Sequence, residues 1–431
     1  MGSGDVFHPQ TSMIALVDCN NFYTSCECVF NPLIRNKPVV VLSNNDGCIV
    51  ARSDEAKALG IKMGDPAFKN RNIFEKYNVY IFSANFALYS DFSNRIMSVL
   101  AEDIPRIEIY SIDEAFMDYS GLPKPLEHAQ DIRNKIMQWI GIPVSIGISS
   151  TKTLAKIANR IAKKEVRSNI FHLHCQDEIL RYLKKLPVSN LWGVGGQYAK
   201  KLELCGIRTA YELTQRSDSW IQRNMSIIGL KMVKELRGIP CFELETAWKR
   251  KKSICTSRTF GEEIYNFNDL AQAVSTYAFI CGDKLRKQGS CAGTVTIFIH
   301  TNPFKRQCRV NYKGVRSIRL ETPTNDSLEI VSAVMAGLRS IYRNNCIYKK
   351  AGVIASDIVP KSEVQLSFFD NIEDIAKRHR LMKAMDAVNG KCGQMKSRLA
   401  INGFERKWKL KQERLSPSYT TSMNELVKVI S

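Results

Sequence analysis

Two adjacent carboxylates, Asp113 and Glu114, interrupt a stretch of otherwise alternating apolar residues. Ile107 and Ile109 alternate with other residues and Ile112 follows, while a second alternating run covers 115–119, which predicts two short strands that meet at a bend. A carboxylate inside an apolar hairpin is unfavourable unless a positive charge neutralises it. The sequence therefore predicts a divalent metal ion at this bend.

A third carboxylate, Asp18, ends the continuous apolar run 13–17, which predicts a strand buried on both faces. Acids at the ends of two neighbouring strands can share one magnesium ion, since this metal takes oxygen ligands and only one or two carboxylates. Asp18 could equally be the N-cap of a helix that begins near Asn21. Phe22 and Tyr23 follow within one turn, where they either touch whatever the metal holds or pack in the core.

The chain is strongly basic, with 62 lysines and arginines against 42 acids and a formal net charge of +20. This excess favours a polyanion such as nucleic acid as partner, with solubility as the alternative. No apolar run is long enough to cross a membrane, and no signal peptide is recognisable. The 13 scattered cysteines form no C-x-x-C pair, which is typical of a reduced, cytoplasmic protein. Residues 1–12 are predicted to be a disordered or vector-derived leader.

Strands and helices alternate along the first half, which predicts a split βαβ sheet with helices on one face. Residues 45–47 predict a tight hairpin turn. Arg52 and Lys57 lie near the start of the next helix, where a phosphate would be stabilised and where a solvated helix face is the alternative. A later helix, capped by Ser150 or Thr151, carries several lysines on one side and apolar residues on the other.

A glycine-rich string, GVGGQYAKKL at 193–202, fits the helix-hairpin-helix pattern. Gly193, Gly195 and Gly196 would let backbone N–H groups approach a DNA phosphate, with Lys200 beside them. A glycine-rich helix turn is the alternative. The basic run 247–252 predicts an exposed linker.

The remaining chain divides into a compact unit and a tail. Residues 253–359 predict a βαββαβ order with a basic surface. QLSFFD, at 365–370, is an exposed apolar hook, which usually indicates a partner. The tail 371–431 is basic and partly helical, and its part 396–421 is predicted to be strand and loop outside the core.

Three motifs, DCNNFYTSCE at 18–27, SNNDGCIVARSDEAKALGIKMGDP at 43–66 and SIDEAF at 111–116, resemble the Y-family of translesion DNA polymerases. The resemblance extends from residue 13 to the C-terminus and is closest to the UmuC branch, the catalytic subunits of bacterial DNA polymerase V. It implies an α+β multidomain fold, a right hand of palm, fingers and helical thumb with a βαββαβ little finger. The implied parts are the palm (13–29 and 86–185), fingers (30–85), thumb (186–246), linker (247–252), little finger (253–359), clamp-binding hook (360–370) and UmuC-type tail (371–431).

The resemblance also assigns the acids. Asp18, Asp113 and Glu114 match the metal-binding carboxylates, with the backbone carbonyl of Cys19 beside them, and two Mg²⁺ ions are implied. Two such ions activate the primer 3′-hydroxyl and neutralise the triphosphate during nucleotidyl transfer.

Tyr23 matches the family's steric gate, whose ring would collide with a ribose 2′-hydroxyl, and Phe22 would support it. The residues that match the triphosphate grip are Lys57, Lys163 and Arg52. The chain departs from many members at Asp54, where they have a tyrosine three residues before the basic one, so a donor to the phosphate is missing.

The implied partners are primer–template DNA, dNTPs, a sliding clamp, and the UmuD′ dimer and RecA filament, which the tail would contact. The clamp site would be formed by Gln365, Leu366, Phe368 and Phe369. The implied activity is error-prone translesion DNA synthesis in the SOS response to DNA damage, without a proofreading exonuclease. A nucleotidyl cyclase built on a similar palm and a non-catalytic DNA-binding scaffold recruited to the clamp are the alternatives.

Overall fold

The computed structural model describes residues 12–247, 249–303, 311–365, 367–368, 370–405 and 408–427. The chain forms two compact units. The first unit comprises Met1–Ser43, Gly47–Trp248 and Arg414–Ser431, and the second comprises Asn44–Asp46 and Lys249–Glu413. Among the residues described, no helix has the length and apolar character needed to span a membrane.

The first unit contains strands and helices in alternation. Its strands are β1 (Ile14–Cys19), β2 (Val39–Leu42), β3 (Ile49–Arg52), β4 (Tyr80–Ser83), β5 (Ile107–Ile109), β6 (Glu114–Asp118), β7 (Val144–Ser149) and β8 (Ile170–Leu173). Its helices are α1 (Phe22–Phe30), α2 (Asp54–Ala58), α3 (Arg71–Lys76), α4 (Phe86–Asp103), α5 (Pro125–Trp139), α6 (Lys152–Glu165), α7 (Gln176–Lys185), α8 (Gly196–Leu204), α9 (Ala210–Thr214) and α10 (Asp218–Leu236).

β1 lies at the centre of a sheet in the order β5-β6-β1-β7-β8 and pairs antiparallel with β6 and β7. Ala15 and Val17 pack in one core with α4 and α5, whereas Leu16 faces the other way and packs with Ala155 of α6. The prediction of helices on one face is therefore wrong. A strand with a continuous apolar run needs cover on both sides.

Gly147 of β7 allows α6 to approach the sheet closely. A Cβ atom on Gly147 would lie 2.0 Å from the backbone nitrogen of Asn159 and 2.5 Å from the backbone oxygen of Ala155. The buried Asn159 amide donates hydrogen bonds to the backbone oxygens of Ser145, at 2.8 Å, and Leu16, at 3.3 Å. These contacts hold the helix against β7 and β1.

The chain between α1 and α4 forms a smaller sheet in the order β3-β2-β4. Asn45 and Asp46 both have positive φ, which fits the predicted tight turn between β2 and β3. The Ser53 hydroxyl caps α2 by accepting from the backbone of Ala56, and Gly60 follows the helix with a φ of +81°. The remaining helices, α7 to α10, share a separate apolar core with α6.

The second unit has the predicted βαββαβ order. Its elements are β9 (Ile254–Ile264), α11 (Phe267–Gln288), β10 (Ser290–Thr301), β11 (Lys313–Thr324), α12 (Ser327–Ile341), β12 (Tyr348–Pro360) and α13 (Ile372–Cys392). The sheet order is β11-β10-β12-β9, and α11 and α12 pack in one core with it. Alternate residues of β10, such as Val295 and Ile297, point into this core, as their spacing predicted.

The C-terminal region contributes to both units. Met382 and Met385 of α13 belong to the core of the second unit, as does Trp408, whose ring meets Tyr277 edge-on at 5.6 Å. The prediction that 396–421 lies outside the core is therefore wrong for Trp408. A single apolar side chain in a polar stretch has no periodicity that would reveal its burial. Residues from Arg414 onward belong to the first unit.

Candidate active site

The Asp18 and Glu114 carboxylates lie on neighbouring strands as direct cross-strand partners, in the antiparallel register of β1 and β6. Both side chains are on the face of the sheet that α6 covers, because they share the register of Leu16 and Phe116 in alternation. Asp18 is not a helix cap. The N-cap of α1 is Asn21, whose side chain makes no capping bond.

Asp113 directly precedes β6 and is joined to the end of β1 by a backbone hydrogen bond. The backbone nitrogen of Cys19 donates to the Asp113 carbonyl at 2.9 Å. The Asp113 carboxylate accepts from the Ser111 hydroxyl at 2.6 Å, and this hydroxyl also accepts from the backbone of Glu114 at 3.0 Å. Ser111 thus fixes both the bend between β5 and β6 and the side chain of Asp113.

Two lysines of α6 neutralise the other two acids. Lys163 Nζ lies 2.5 Å from Asp18 Oδ1, and Lys156 Nζ lies 2.9 Å from Glu114 Oε2. Burial raises the pKa of Asp18 to about 7, and the charges of Glu114 and Asp113 add to this rise while Lys163 opposes it. The cluster therefore needs positive charge to remain ionised.

The donor set suits a divalent metal ion. Carboxylate oxygens on two strand ends, beside the Cys19 carbonyl, are the hard oxygen ligands that Mg²⁺ prefers. Within the described residues no three His, Cys, Asp or Glu side chains converge as a ready ligand cluster. Lysines engage Asp18 and Glu114, and Ser111 engages Asp113. The oxygen ligands suit Mg²⁺, and the positive charge of the ion would help to keep the buried carboxylates ionised.

Tyr23 lies in an aromatic cluster on α1, the helix that follows β1. Its ring stacks on Tyr89 with centroids 4.5 Å apart and meets Phe86 edge-on at 5.9 Å. Phe22 is 4% exposed and packs beside Tyr23 at 5.8 Å, so it belongs to the core and supports the Tyr23 ring. Burial raises the pKa of Tyr23, and the charge of Asp113 adds to the rise.

The predicted phosphate-binding residues have different surroundings. Lys57 Nζ donates to Asn21 at 2.5 Å and to Asp54 at 2.8 Å. Asp54, which stands where many family members have tyrosine, thus holds this lysine. Burial alone would raise the Asp54 pKa, but hydrogen bonds from Lys57 and Asn21 keep it lowered. Arg52 donates to the backbone oxygen of Ile61 at 2.5 Å and therefore has a structural contact.

The helix-hairpin-helix string forms a turn before α8. Gly193 has a φ of +83°, a conformation that glycine adopts without strain, and α8 begins at Gly196 after Gly195 as N-cap. Nothing lies within 4 Å of a Cβ atom built on Gly193, Gly195 or Gly196, and Lys200 is exposed on the first turns of the helix. The backbone here is open to a large ligand.

The predicted clamp-binding hook lies only partly within the residues that the structure describes. Leu366 and Phe369 lie outside the described residues. Phe368 is 99% exposed, and Gln365 is exposed as well. The exposure of a large aromatic side chain agrees with the kind of surface that a partner covers.

Comparison with known proteins identifies the family. The model of the impB/mucB/samB family matches residues 17–160, its C-terminal domain matches 251–368, and a domain of unknown function matches 379–429. A solved Y-family DNA polymerase chimera of Dbh and Dpo4 covers 80% of this chain and 99% of its own, with a TM-score of 0.64 and 21% identity. The two proteins share the fold.

The UmuC protein of Salmonella typhimurium strain LT2 is 40% identical over 422 residues, which cover 97% of this chain and 100% of that protein. The chain belongs to the UmuC branch of the Y-family of DNA polymerases. The ImpB protein of Salmonella typhimurium is also 40% identical, over 96% of this chain and 99% of its own. DNA polymerases of this kind use divalent metal ions, in agreement with the acids of this UmuC-family chain.

The sequence patterns did not identify three residues that belong to this UmuC-family site. They are Ser111, Lys156 and Tyr89. Lys156 had a visible signal, since it lies two turns before Lys163 on the same basic side of α6. Tyr89 acts through a contact between distant parts of the chain, which no local pattern predicts, whereas Ser111 acts through hydrogen bonds to Asp113 and Glu114 within the same bend.

Proposed function

We propose that this chain is a template-directed DNA polymerase that extends primers past damaged bases, in translesion synthesis during the SOS response. The observation that carries the proposal is the cross-strand pair Asp18 and Glu114, with Asp113 at the bend and Tyr23 on the helix that follows β1. Acids that hold two metal ions would stabilise the attacking hydroxyl of a primer and the leaving group of a nucleotide. The Tyr23 ring would lie at the sugar of that nucleotide.

The parts of the chain follow the family's plan in this proposal. The sheet around β1 is the palm, the β3-β2-β4 sheet with α2 and α3 is the fingers, and α8 to α10 belong to the thumb. The βαββαβ unit is the little finger. The face of its sheet opposite the helices carries Thr296, Phe298 and Arg319, and the last of these offers a positive charge to a DNA backbone.

Asp18, Asp113 and Glu114, with the backbone carbonyl of Cys19 beside them, would hold two Mg²⁺ ions. Bound Mg²⁺ lowers the pKa of the primer hydroxyl and neutralises the triphosphate and the leaving pyrophosphate. The chain's own residues provide the position of the reactants and the balance of charge.

Lys163 and Lys57 would bind the triphosphate. Each lysine now satisfies a nearby oxygen, Lys163 at Asp18 and Lys57 at Asn21 and Asp54. A lysine ammonium is a flexible point charge, so it can exchange one anionic partner for another without moving its helix. The Tyr23 ring would lie under the sugar and exclude a 2′-hydroxyl.

The remaining contacts position the DNA and recruit partners. Gly193, Gly195, Gly196 and Lys200 would bind the backbone phosphates without reading the bases. The segment with Gln365 and Phe368 would dock on a sliding clamp, together with Leu366 and Phe369. The UmuD′ dimer and RecA are proposed as further partners through the C-terminal region.

Primer extension with Mg²⁺ on an undamaged and an abasic template tests the proposal, with and without the clamp, UmuD′ and RecA. Wild-type protein should extend the primer on both templates and release no nucleotides from a mismatched 3′ end. Asp113→Ala should bind DNA with unchanged affinity and extend neither template. A non-catalytic scaffold would instead give no extension with wild-type protein, while retaining clamp and DNA binding.

A further inference from the structure

The polymerase reaction assigns no task to Glu27, a buried acid near the site. Glu27 lies on α1, one helical turn after Tyr23, and is 2% exposed. Burial raises its pKa, and hydrogen bonds from Tyr89 and Ser416 oppose the rise. A carboxyl group in such surroundings is costly unless partners satisfy it, so its hydrogen bonds indicate what it does.

The first partner is Tyr89 of α4, which is fully buried. The Tyr89 hydroxyl donates to Glu27 Oε1 at 2.6 Å. The same Tyr89 ring stacks on Tyr23, with centroids 4.5 Å apart and planes 14° apart. Glu27 therefore fixes the ring that supports Tyr23, since a ring held at its hydroxyl cannot swing away from its stacking partner.

The second partner comes from the C-terminal segment. The Ser416 hydroxyl donates to Glu27 Oε1 at 3.2 Å, from a position 389 residues further along the chain. Asn85 donates to the Ser416 backbone oxygen at 3.1 Å, and its side-chain oxygen caps α4 by accepting from the backbone of Leu88 at 3.2 Å. One amide thus joins the segment to the start of the helix that carries Tyr89.

Two further contacts hold the same segment. The backbone nitrogen of Ser83 donates to the Arg414 carbonyl at 2.9 Å, next to an isolated parallel bridge between Ser83 and Leu415. The Tyr419 ring stacks on Phe30 of α1 with centroids 4.5 Å apart. Residues 414–419 are therefore attached to β4, to the start of α4 and to α1. The rings in contact with Tyr23 belong to α1 and α4.

We propose that the C-terminal segment 414–419 positions the sugar gate. Ser416 and Glu27 hold Tyr89, and the Tyr89 ring fixes the plane of Tyr23. This inference rests on the proposed role of Tyr23 in excluding a ribose. The segment belongs to the region 379–429, which matches a domain of unknown function. The inference therefore gives part of that region a role in the choice of sugar.

The physical reason is that exclusion by collision needs a ring that does not yield. A tilted or mobile Tyr23 ring would admit a 2′-hydroxyl, while a deoxyribose would bind to either arrangement. A loss of support should therefore increase the use of ribonucleotides more than it changes the use of deoxynucleotides. A purely structural role of the segment would lower stability and slow both substrates by the same factor.

The test uses the full-length protein with Ser416→Ala and Tyr89→Phe, and Thr421→Ala as the matched control on an exposed tail residue. Single-nucleotide primer extension gives kcat/KM for dATP and ATP, and thermal unfolding is followed in parallel. Loss of one supporting hydrogen bond should lower the dATP/ATP selectivity by roughly three- to tenfold, through a higher kcat/KM for ATP. Thr421→Ala should leave the selectivity unchanged. Glu27→Gln, which keeps an acceptor for Tyr89, should retain most of it.

Two controls separate this inference from the proposed function. If wild-type protein does not incorporate dATP, or if Tyr23→Ala leaves the selectivity unchanged, the proposed function or its gate fails and the inference fails with it. If Tyr23→Ala lowers the selectivity but Ser416→Ala and Tyr89→Phe do not, the inference alone is overturned. A lower melting temperature with unchanged selectivity in these two variants overturns it as well.

Discussion

Lys156 neutralises Glu114 from inside an aromatic cage. Its ammonium lies 2.9 Å from Glu114 Oε2 and 4.5 Å from the centroid of the Tyr110 ring, with Trp192 at 5.4 Å. Trp192 directly precedes Gly193 and donates through its indole nitrogen to the Tyr110 hydroxyl at 3.0 Å. Glu114, a proposed metal ligand, and Trp192, which precedes the proposed DNA-binding turn, therefore share one lysine as a neighbour.

Replacement of this lysine should make the metal easier to bind. Lys156→Met keeps an apolar side chain inside the cage but removes a positive charge that competes with Mg²⁺ for Glu114. We expect the Mg²⁺ concentration for half-maximal primer extension to fall by roughly threefold or more. Calorimetric titration with Mn²⁺ provides a readout that does not depend on turnover. Lys164→Met, an exposed neighbour on α6, is the control, and an increased metal requirement in Lys156→Met would contradict the assignment.

Tyr23→Ala should lower the preference for dNTPs over rNTPs by at least about tenfold, because removal of the ring removes the collision with the 2′-hydroxyl. Tyr23→Phe keeps the ring and its stacking on Tyr89, so it should retain the preference. Competition between labelled dNTPs and rNTPs in single-nucleotide extension measures both variants. Equal preference in wild type and Tyr23→Ala would remove the gate assignment.

The parts of this site that follow from local sequence were predictable. The apolar run ending at Asp18 predicted a strand buried on both faces, and the alternation around Asp113 and Glu114 predicted strands next to a bend. Such patterns show which residues of a strand are buried, so they locate acids at strand ends before the whole fold is known. The βαββαβ order of the second unit was predictable for the same reason.

The contacts between distant segments were not predictable in this way. Ser416 and Glu27 are 389 residues apart, and nothing near either residue indicates the other. The position of α6 on the second face of the sheet was also missed, because it depends on the packing of Asn159 against Gly147, which no local pattern of the sequence shows. The relationships that tune the site are thus tertiary, whereas the groups that form it are visible locally.

The hook variant Phe368→Ala with Phe369→Ala should abolish binding to a sliding clamp while leaving distributive primer extension intact. A clamp groove gains most of its affinity from a few buried aromatic and aliphatic anchors, and Phe368 is 99% exposed in the free chain. Phe404→Ala is the matched control, since Phe404 is an 85% exposed phenylalanine of the same unit. Clamp pull-down and surface plasmon resonance measure the effect. Equal binding by the hook variant and wild type would count against the hook.

Lys200→Ala should weaken DNA binding equally on all sequences, because a lysine beside a glycine turn contacts phosphate and not bases. The slope of log K against log salt should become shallower by about one, as one phosphate contact is lost. Fluorescence anisotropy on two unrelated primer–templates at several salt concentrations measures both effects. Glu203→Gln on the same helix removes a charge of opposite sign and should not weaken binding. A loss for Lys200→Ala that depends on sequence would exclude a phosphate contact.

Gly147→Ala should destabilise the first unit by roughly 2 kcal/mol or more, because overpacking at a rigid contact forces the backbone to shift. The new Cβ atom would meet the backbone of Asn159 at 2.0 Å and of Ala155 at 2.5 Å, and backbone atoms cannot rotate away. Only a displacement of α6 relieves the contact, and α6 carries both Lys156 and Lys163. Urea unfolding measures the loss, with Gly390→Ala in the open helix α13 as a control that should not destabilise. If folded Gly147→Ala protein kept wild-type stability and Mg²⁺ requirement, α6 would not be held to the sheet by this contact.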